Sequence, residues 1–329
     1  MTKRKIAFLF SGQGSQYFQM GRDLYEQNLT FRTWMERMDR LAQQRLGTSV
    51  VAALYGANGK AEPFDAIRLT HPAIFMVEFA LAKTLIELGI EPDCTLGASL
   101  GTFAALAIAG NWSMEDALTS VLQQALLIES DCPKGGMIAV LDKPKLYEDS
   151  PVLQARSVIA GRNFAAHFVL ALPEHNLPAV ERFLSRAGVV HQAVPVQYPF
   201  HTPWIEPMRD RLIEASGIGR LRLSGMPMYC CANGGVLTEI SAAYLWQVAR
   251  KEIAFMRTIA AMEASGPFDY VDLSPSGTLS TFLKYLLPKE MSFRVLNVMA
   301  PFGRDSERIA SVLALLQPNS RLVSTAVEG

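Results

Sequence analysis

The segment Gly97-Ala98-Ser99-Leu100-Gly101 places a serine with a glycine two positions away on each side. This spacing is typical of a sharp strand-to-helix turn that exposes a nucleophilic serine, because larger side chains at the glycine positions would clash there. The flanks agree, since Asp93–Leu96 is predicted to be a strand and Ser99–Ala109 an alanine-rich helix. We predict a covalent acyl-enzyme mechanism at Ser99, and the alternative is a serine that only caps a helix.

A serine nucleophile needs a base and a site for the oxyanion. The backbone N–H of Leu100, at the start of the predicted helix, is the expected oxyanion donor. Among five histidines, His201 is favoured as the base because it lies in a loop that leaves a strand and opens a helix. The others stay open, with different roles expected at a helix start or within the middle of the chain: His71, His167, His175 and His191.

A second glycine-containing turn, Gly12–Gln16, follows the predicted strand Ile6–Phe10. Its backbone N–H groups could face a ligand, as in a phosphate cradle, or it could be a plain turn. It is not a P-loop, because no Gly-Lys-Ser or Gly-Lys-Thr follows.

Strands and helices alternate along much of the chain, which predicts an α/β sheet with helices on its faces. The other predicted helices outside the middle segment are Met20–Glu26, Pro72–Leu88, Met114–Glu129 and Ile205–Ala215. The later predicted strands are Met228–Cys231, Tyr270–Leu273 and Arg294–Val298.

The middle segment, residues 133–198, has a different order of elements. It is predicted to contain the sequence β-α-β-β-α-β, which is a ferredoxin-like unit inserted into a larger domain at 1–132 and 199–317. Residues 318–329 are predicted to be a flexible tail. The predicted elements are strands Met137–Leu141, Arg156–Gly161, His167–Leu172 and Val189–Val196 and helices Lys143–Asp149 and Leu177–Ala187.

Composition excludes several function classes. The 329 residues are 50% hydrophobic and carry a formal net charge of zero, so no basic surface for nucleic acid or membrane is expected. The four cysteines have no metal-ligand or disulfide-scaffold spacing, which favours a reduced cytoplasmic setting without a metal. The apolar run after the N-terminus is too short for a signal peptide, and no uninterrupted apolar run reaches the length of a membrane span.

Six segments together resemble the malonyl-CoA:acyl carrier protein transacylase family and the acyltransferases of polyketide synthases, over roughly residues 5–300. They are Phe10–Gln16, Met20–Tyr25, Thr70–Phe75, Gly97–Gly101, Phe200–Thr202 and Asp272–Leu279. The resemblance implies an α/β fold, with a large α/β-hydrolase-like domain on a short parallel sheet and the inserted ferredoxin-like subdomain.

The resemblance also implies roles for individual residues. Ser99 and His201 form a catalytic dyad, and the backbone N–H groups of Gln13 and Leu100 form the oxyanion hole. The second ring nitrogen of His201 donates to a main-chain carbonyl, which the motif alignment places at Val248.

Two departures from the malonyl-transferring members bear on the acyl pocket. Those enzymes pair an arginine with the malonyl carboxylate, and here the matching position is Gln124. An unpaired buried charge costs about 3–5 kcal/mol, so a neutral acyl group is expected unless Arg162 or Arg250 replaces the missing arginine. Ala98 stands where the family has a histidine, which leaves a roomier acyl pocket. Gln124, Ala98 and Phe200 are the expected substrate-binding residues.

An intact dyad without the carboxylate clamp resembles the free-standing acyl hydrolases of trans-acyltransferase polyketide synthases. This predicts hydrolysis of acetyl and similar groups from acyl carrier proteins by a monomeric enzyme. It needs no cofactor, because the substrate carries its own phosphopantetheine arm. The alternatives are a discrete acyltransferase from coenzyme A to carrier protein, a non-catalytic carrier-protein-binding protein, or an unrelated lipase-like hydrolase. Carrier proteins are acidic, and the candidate cations for docking them are Arg162, Arg250, Lys251 and Arg257.

Overall fold

The first strand lies in the middle of a six-stranded sheet in the computed structural model, which describes residues 4–215 and 217–317. Along this strand, Phe8 and Phe10 pack into the core on one face of the sheet, and Ala7 and Leu9 pack into the core on the other. Because helices cover both faces, the strand is apolar at consecutive positions rather than at alternate ones.

The strands of the described chain fall into two sheets. In chain order they are β1 (Lys5–Phe10), β2 (Cys94–Gly97), β3 (Gly135–Val140), β4 (Val158–Phe164), β5 (His167–Pro173), β6 (His191–Val194), β7 (Met228–Cys230), β8 (Gly235–Val236), β9 (Phe268–Asp272) and β10 (Val295–Asn297). The larger sheet has the order β10-β9-β1-β2-β7-β8, and all its neighbours are parallel except β7 and β8.

The helices cover the two sheets. They are α1 (Arg22–Gln27), α2 (Leu29–Leu46), α3 (Val50–Leu54), α4 (Ile67–Glu87), α5 (Gly101–Ile108), α6 (Met114–Asp131), α7 (Lys145–Glu148), α8 (Pro151–Arg156), α9 (Leu177–Arg186), α10 (Arg209–Ala215), α11 (Tyr244–Arg250), α12 (Phe255–Ala264), α13 (Thr278–Leu286) and α14 (Asp305–Leu316).

The second sheet has the order β4-β5-β3-β6, with every neighbouring pair antiparallel. Helices α7 and α8 connect its first two strands in sequence, and α9 connects the last two. This is the β-α-β-β-α-β arrangement of a ferredoxin-like unit, so the predicted fold class is confirmed. The division into domains at residues 133 and 198 stays a prediction, and the predicted tail at 318–329 lies outside the described residues.

Helix α4 is long and apolar enough to cross a membrane, yet 83% of its most apolar window is buried inside the protein. It is therefore a core helix. It begins at Ile67, five residues before the predicted start at Pro72. Proline removes one hydrogen bond from the helix, and the burial of Ile67, Thr70 and His71 offsets that loss.

Other element ends also differ from the predictions. The predicted helix over 205–215 is a 3₁₀ turn, Pro203–Met208, followed by α10, because Pro207 lacks the N–H that an α-helix needs. The strand predicted over 189–196 is shortened to β6, since Pro195 has no N–H for the ladder. The strand predicted from Arg156 starts two residues later, because Arg156 ends helix α8.

Candidate active site

The turn between β2 and α5 is a nucleophile elbow. Ser99 has a positive backbone φ of 54°, which β-carbon-bearing residues rarely adopt. A side chain at Gly97 would place its Cβ 2.4 Å from the Cα of Thr102, and one at Gly101 would place it 2.2 Å from the carbonyl oxygen of Phe10. The two glycines therefore let the turn press against the neighbouring backbone while Ser99 projects from it.

His201 lies in direct contact with Ser99. The Ser99 Oγ lies 2.8 Å from the His201 Nε2, although the two residues are 102 positions apart in the chain. The other ring nitrogen, Nδ1, lies 2.7 Å from the carbonyl oxygen of Lys251. A carbonyl only accepts, so Nδ1 carries the proton and Nε2 is free to accept from the serine hydroxyl.

Burial sets the protonation state of His201. Its residue is 3% exposed, and this desolvation lowers the pKa to about 4, against the opposing effect of the Lys251 carbonyl and with a smaller contribution from Arg250. The imidazole is therefore neutral at neutral pH, as a general base must be.

The alignment-based placement of the orienting carbonyl at Val248 is wrong. Val248 lies within α11, whereas the carbonyl that meets His201 belongs to Lys251, the residue just past the end of that helix. Lys251 is extended (ψ 153°), so its carbonyl points away from the helix axis. The backbone N–H of His201 also donates to Ala249, which docks the catalytic loop on the end of α11.

The loop after β1 completes the site on the other side of Ser99. A Cβ at Gly12 would lie 2.9 Å from the Cβ of Ser99 and 3.4 Å from the N atom of Leu100, so this loop directly abuts the elbow. Within residues 4–215 and 217–317, the backbone N–H groups of Gln13 and Leu100 donate to no acceptor. Two such donors next to a nucleophile are what an oxyanion hole requires, and that role for them stays a prediction.

Buried polar side chains hold this loop in place. The backbone N–H and the hydroxyl of Ser11 both donate to Glu78 Oε1 at 2.7 Å. Burial raises the pKa of Glu78 well above its usual range. The side-chain amide of Gln13 donates to the Thr70 hydroxyl at 2.8 Å. The loop is therefore anchored to helix α4 at two points.

Ser99 and His201 open into a cavity of about 310 Å³ that lies between the two sheets. One wall consists of the loop after β1, the elbow and helix α13, and the other consists of strands β3 to β6. No lysine, arginine, aspartate or glutamate of the described chain lines this cavity. A charged acyl group would therefore find no charged partner there.

The three expected substrate-binding residues are placed differently. Ala98 and Phe200 line the cavity, but Gln124 does not. Gln124 is 4% exposed on α6, and its Oε1 has no hydrogen-bond partner in the described chain. The arginines considered as replacements, Arg162 and Arg250, do not line the cavity either and are paired with Glu252 and Glu206.

Two cavity residues, Asn163 and His167, were not identified from the sequence, where His167 was expected to have a surface or sheet role. They line the wall that the second sheet contributes. The sequence feature that could have identified them is a polar residue on each side of the β4–β5 turn, in a hairpin whose strands are otherwise largely apolar. His71, by contrast, is buried in α4 and stacks on Phe200, with ring centroids 5.6 Å apart. Burial lowers its pKa to about 3.

Comparisons with known proteins agree with this geometry. The family model described as "Acyl transferase domain" matches residues 7–323. The chain is 37% identical over 308 residues to the polyketide biosynthesis acyltransferase homolog PksD of Bacillus subtilis, covering 93% of this chain and 95% of PksD. It is 36% identical over 318 residues to BaeD of Bacillus velezensis, which has the same description, covering 96% of this chain and 98% of BaeD.

A solved structure has the same fold. The MCAT of Streptococcus pneumoniae superimposes with a TM-score of 0.75 at 27% identity, and the match covers 95% of this chain and 100% of that one. The family model matches nearly the whole length of the chain, and the structure contains the turn around Ser99 and the contact between Ser99 and His201. The chain belongs to the acyl transferase domain family.

Proposed function

We propose that this enzyme hydrolyses neutral acyl thioesters, such as acetyl groups, on acyl carrier proteins of a trans-acyltransferase polyketide synthase. The observation that carries the proposal is the cavity shared by Ser99 and His201, which no charged side chain of residues 4–215 and 217–317 lines. The relatives PksD and BaeD support the pathway, because both are described as polyketide biosynthesis acyltransferase homologs and both match almost end to end.

The geometry supports a two-step reaction. Ser99 Oγ attacks the thioester carbon while His201 Nε2 takes the hydroxyl proton, and the oxyanion faces the N–H groups of Gln13 and Leu100. The carbon–sulfur bond breaks, the thiolate of the phosphopantetheine arm takes the proton from His201, and acyl-Ser99 remains. His201 then removes a proton from water, which attacks the ester carbon. The bond between the acyl carbon and Ser99 Oγ breaks, Oγ takes the proton back from His201, and the carboxylic acid leaves.

A neutral substrate follows from the cost of burying a carboxylate. An unpaired buried charge costs about 3–5 kcal/mol, which lowers the acylation rate by a factor of about 10² to 10⁴. Arg162 and Arg250 are engaged with Glu252 and Glu206 outside the cavity, so neither supplies the missing partner.

Docking of the carrier protein requires cations near the cavity mouth. Lys251 and Arg257 are exposed and have no carboxylate partner in the described residues, unlike Arg162 and Arg250. We propose that Lys251 and Arg257 contribute most to carrier-protein binding. A monomeric enzyme in the reduced cytoplasm, without a cofactor, is part of the same proposal.

The test uses carrier protein loaded with acetyl or malonyl and a catalytic amount of enzyme. We expect intact-mass measurements to show complete loss of acetyl to water over many turnovers, at least about 10²-fold slower loss of malonyl, and no loss with Ser99→Ala.

Two results would contradict the proposal in different ways. Acetyl that appears on a second, empty carrier protein or on coenzyme A faster than it appears in water identifies a transferase. An acetyl load that persists, or that is lost equally with Ser99→Ala, identifies a protein that binds carrier protein without catalysis.

A further inference from the structure

A second histidine lies in the wall of the catalytic cavity. His167 starts β5 and Asn163 lies one residue before the end of β4, and both line the cavity that contains Ser99. The antiparallel pairing places Phe164 opposite His167, so a tight turn brings the two polar residues together. Each is only 7% exposed, and buried polar groups are costly unless they find partners.

The contact between them favours one tautomer of His167. The Asn163 Nδ2 lies 3.1 Å from the His167 Nδ1. An amide nitrogen only donates, so Nδ1 accepts and the proton of the neutral ring resides on Nε2. Burial lowers the pKa of His167 against the opposing effect of a hydrogen bond to its own backbone, so the ring is neutral at neutral pH. The Nε2–H donates to no other residue within the described ranges.

Aromatic side chains hold the imidazole ring in position. Phe164 and Phe282 each lie with their ring centroid 5.1 Å from that of His167. Phe164 in turn stacks on Tyr285 at 4.4 Å, which connects the second sheet to helix α13. The N–H of His167 is therefore a donor of fixed direction rather than a mobile group.

The two histidines of the cavity are complementary. His201 has its proton on Nδ1 and presents a lone pair at Nε2, so it acts as a base. His167 has the opposite tautomer and presents a donor. The cavity of about 310 Å³ holds roughly ten water volumes of about 30 Å³, far more than an acetyl group fills, so substrate atoms beyond the thioester also lie in it.

We propose that His167 is a specificity-determining residue whose Nε2–H donates a hydrogen bond to a neutral oxygen of the bound thioester beyond the reacting carbonyl. Asn163 is its positioning residue. The inference rests on the proposed function, because it concerns the same substrate in the same cavity. Two parts of the substrate offer such an oxygen: a 3-oxo group on the acyl chain and an amide carbonyl of the phosphopantetheine arm.

The test measures formation of acyl-Ser99 in a single turnover, by rapid quench and intact mass. Three thioesters are compared: butanoyl- and 3-oxobutanoyl-N-acetylcysteamine, and the pentanethiol ester of butanoic acid, which lacks the amide. The first ratio divides the rate for the 3-oxobutanoyl thioester by that for butanoyl-N-acetylcysteamine and reports on the 3-oxo group. The second ratio divides the rate for butanoyl-N-acetylcysteamine by that for the pentanethiol ester and reports on the amide. Intrinsic reactivity cancels when each ratio in the wild type is divided by that in His167→Phe.

We expect His167→Phe to lower one ratio by about 5- to 10-fold, the value of one hydrogen bond between neutral groups. A loss in the first ratio assigns the acyl oxygen, and a loss in the second assigns the amide of the arm. Asn163→Leu lowers the same ratio by less and adds nothing to His167→Phe. His167→Gln, which retains a donor, recovers part of the loss.

The matched control is His175→Phe, because His175 is exposed and lies outside the cavity, so both ratios keep their wild-type values. Unchanged ratios in a folded His167→Phe protein overturn the proposal, and His167→Leu, which also lacks a donor, takes its place if the phenylalanine variant does not fold. Acyl-Ser99 forms whether water or a thiol completes the reaction. Absence of all neutral acylation therefore rejects the proposed function, whereas normal acylation with equal ratios rejects only the role of His167.

Discussion

Both residues of the proposed dyad, Ser99 and His201, have a left-handed backbone. Ser99 has a φ of 54° and His201 a φ of 62°, and each lies on a turn where the chain changes direction. Such conformations are unfavourable for residues with a β-carbon and persist only where the surroundings enforce them. Here the close glycines of the elbow and the two hydrogen bonds to the end of α11 enforce them. The two side chains therefore face each other before substrate arrives.

The low pKa of His201 predicts how activity depends on pH. A base works only when unprotonated, and burial places the pKa at about 4, so acylation of Ser99 rises through pH 4 and is flat up to neutral pH. The measurement is the rate of acyl-Ser99 formation from an acetyl thioester against pH, with circular dichroism at each pH to confirm folding. A midpoint near 6.5, the value of a solvated histidine, would contradict the burial of this ring in the free enzyme.

Some residues of the site could be predicted from the sequence and others could not, depending on whether the role requires a particular residue type. The contact between Ser99 and His201 could be predicted because the serine lies in a characteristic turn motif and the family resemblance pairs it with this histidine. The carbonyl that orients His201 could not be placed, because any residue can supply one and the choice depends on where α11 ends. His167 was missed because it becomes part of the cavity only through packing of the second sheet against the first.

At the element scale, the elbow depends on backbone contacts that tolerate no β-carbon. A methyl group at Gly101 would lie 2.2 Å from the carbonyl oxygen of Phe10, a rigid atom in the central strand. We expect Gly101→Ala to lower the free energy of unfolding by about 1–3 kcal/mol or more, the usual cost of overpacking, and to abolish Ser99 acylation. Urea denaturation and the acylation assay measure the two effects.

The control for that variant is Gly225→Ala, since a β-carbon at Gly225 meets no atom within 4 Å and the residue has no positive φ. It should have wild-type stability or slightly more. Equal stability of the two variants would contradict the prediction, because it would mean that the central strand can move away from the elbow at little cost. The parallel pairing of Phe10 with Gly97 opposes such a movement.

Helices and strands were predicted correctly where apolar residues recur with a clear period. A helix was missed where many charged residues obscure that period. Helix α2 was not predicted, although Asn28 caps its first turn and Gly47 ends it with a φ of 72°. Both residues are ordinary helix-boundary signals. The helix was missed because its many charged residues obscure an apolar stripe whose buried members are Phe31, Met35, Met38 and Ala42.

At the scale of the whole molecule, the segment 251–254 connects His201 to both sheets. The carbonyl of Lys251 orients His201, and two residues later Ile253 exchanges hydrogen bonds with β4, donating to Ala160 and accepting from Arg162. The next residue, Ala254, donates to the carbonyl of Cys231, just past the end of β7. The position of His201 therefore depends on how the second sheet packs against the first.

This coupling predicts an effect of Gly161, which faces the segment from β4. A β-carbon there would lie 3.1 Å from the Ile253 Cβ and 3.4 Å from its carbonyl oxygen, so Gly161→Ala pushes the 251–254 segment away. Acylation of Ser99 should fall by about 10-fold, because the cost of a small misalignment in the base is on the order of 1–2 kcal/mol. The measurement is single-turnover acylation by acetyl and by butanoyl thioesters.

The comparison of those two substrates separates displacement from simple filling of the cavity, which Gly161 also lines. A displaced His201 slows both substrates equally, because each needs the same proton transfer. A methyl group that only occupies space slows butanoyl and spares acetyl. Gly219→Ala, at a glycine with no atom within 4 Å of its would-be β-carbon, provides the matched control and should react like the wild type. If Gly161→Ala spares acetyl, the 251–254 segment does not transmit the position of the second sheet to the catalytic base.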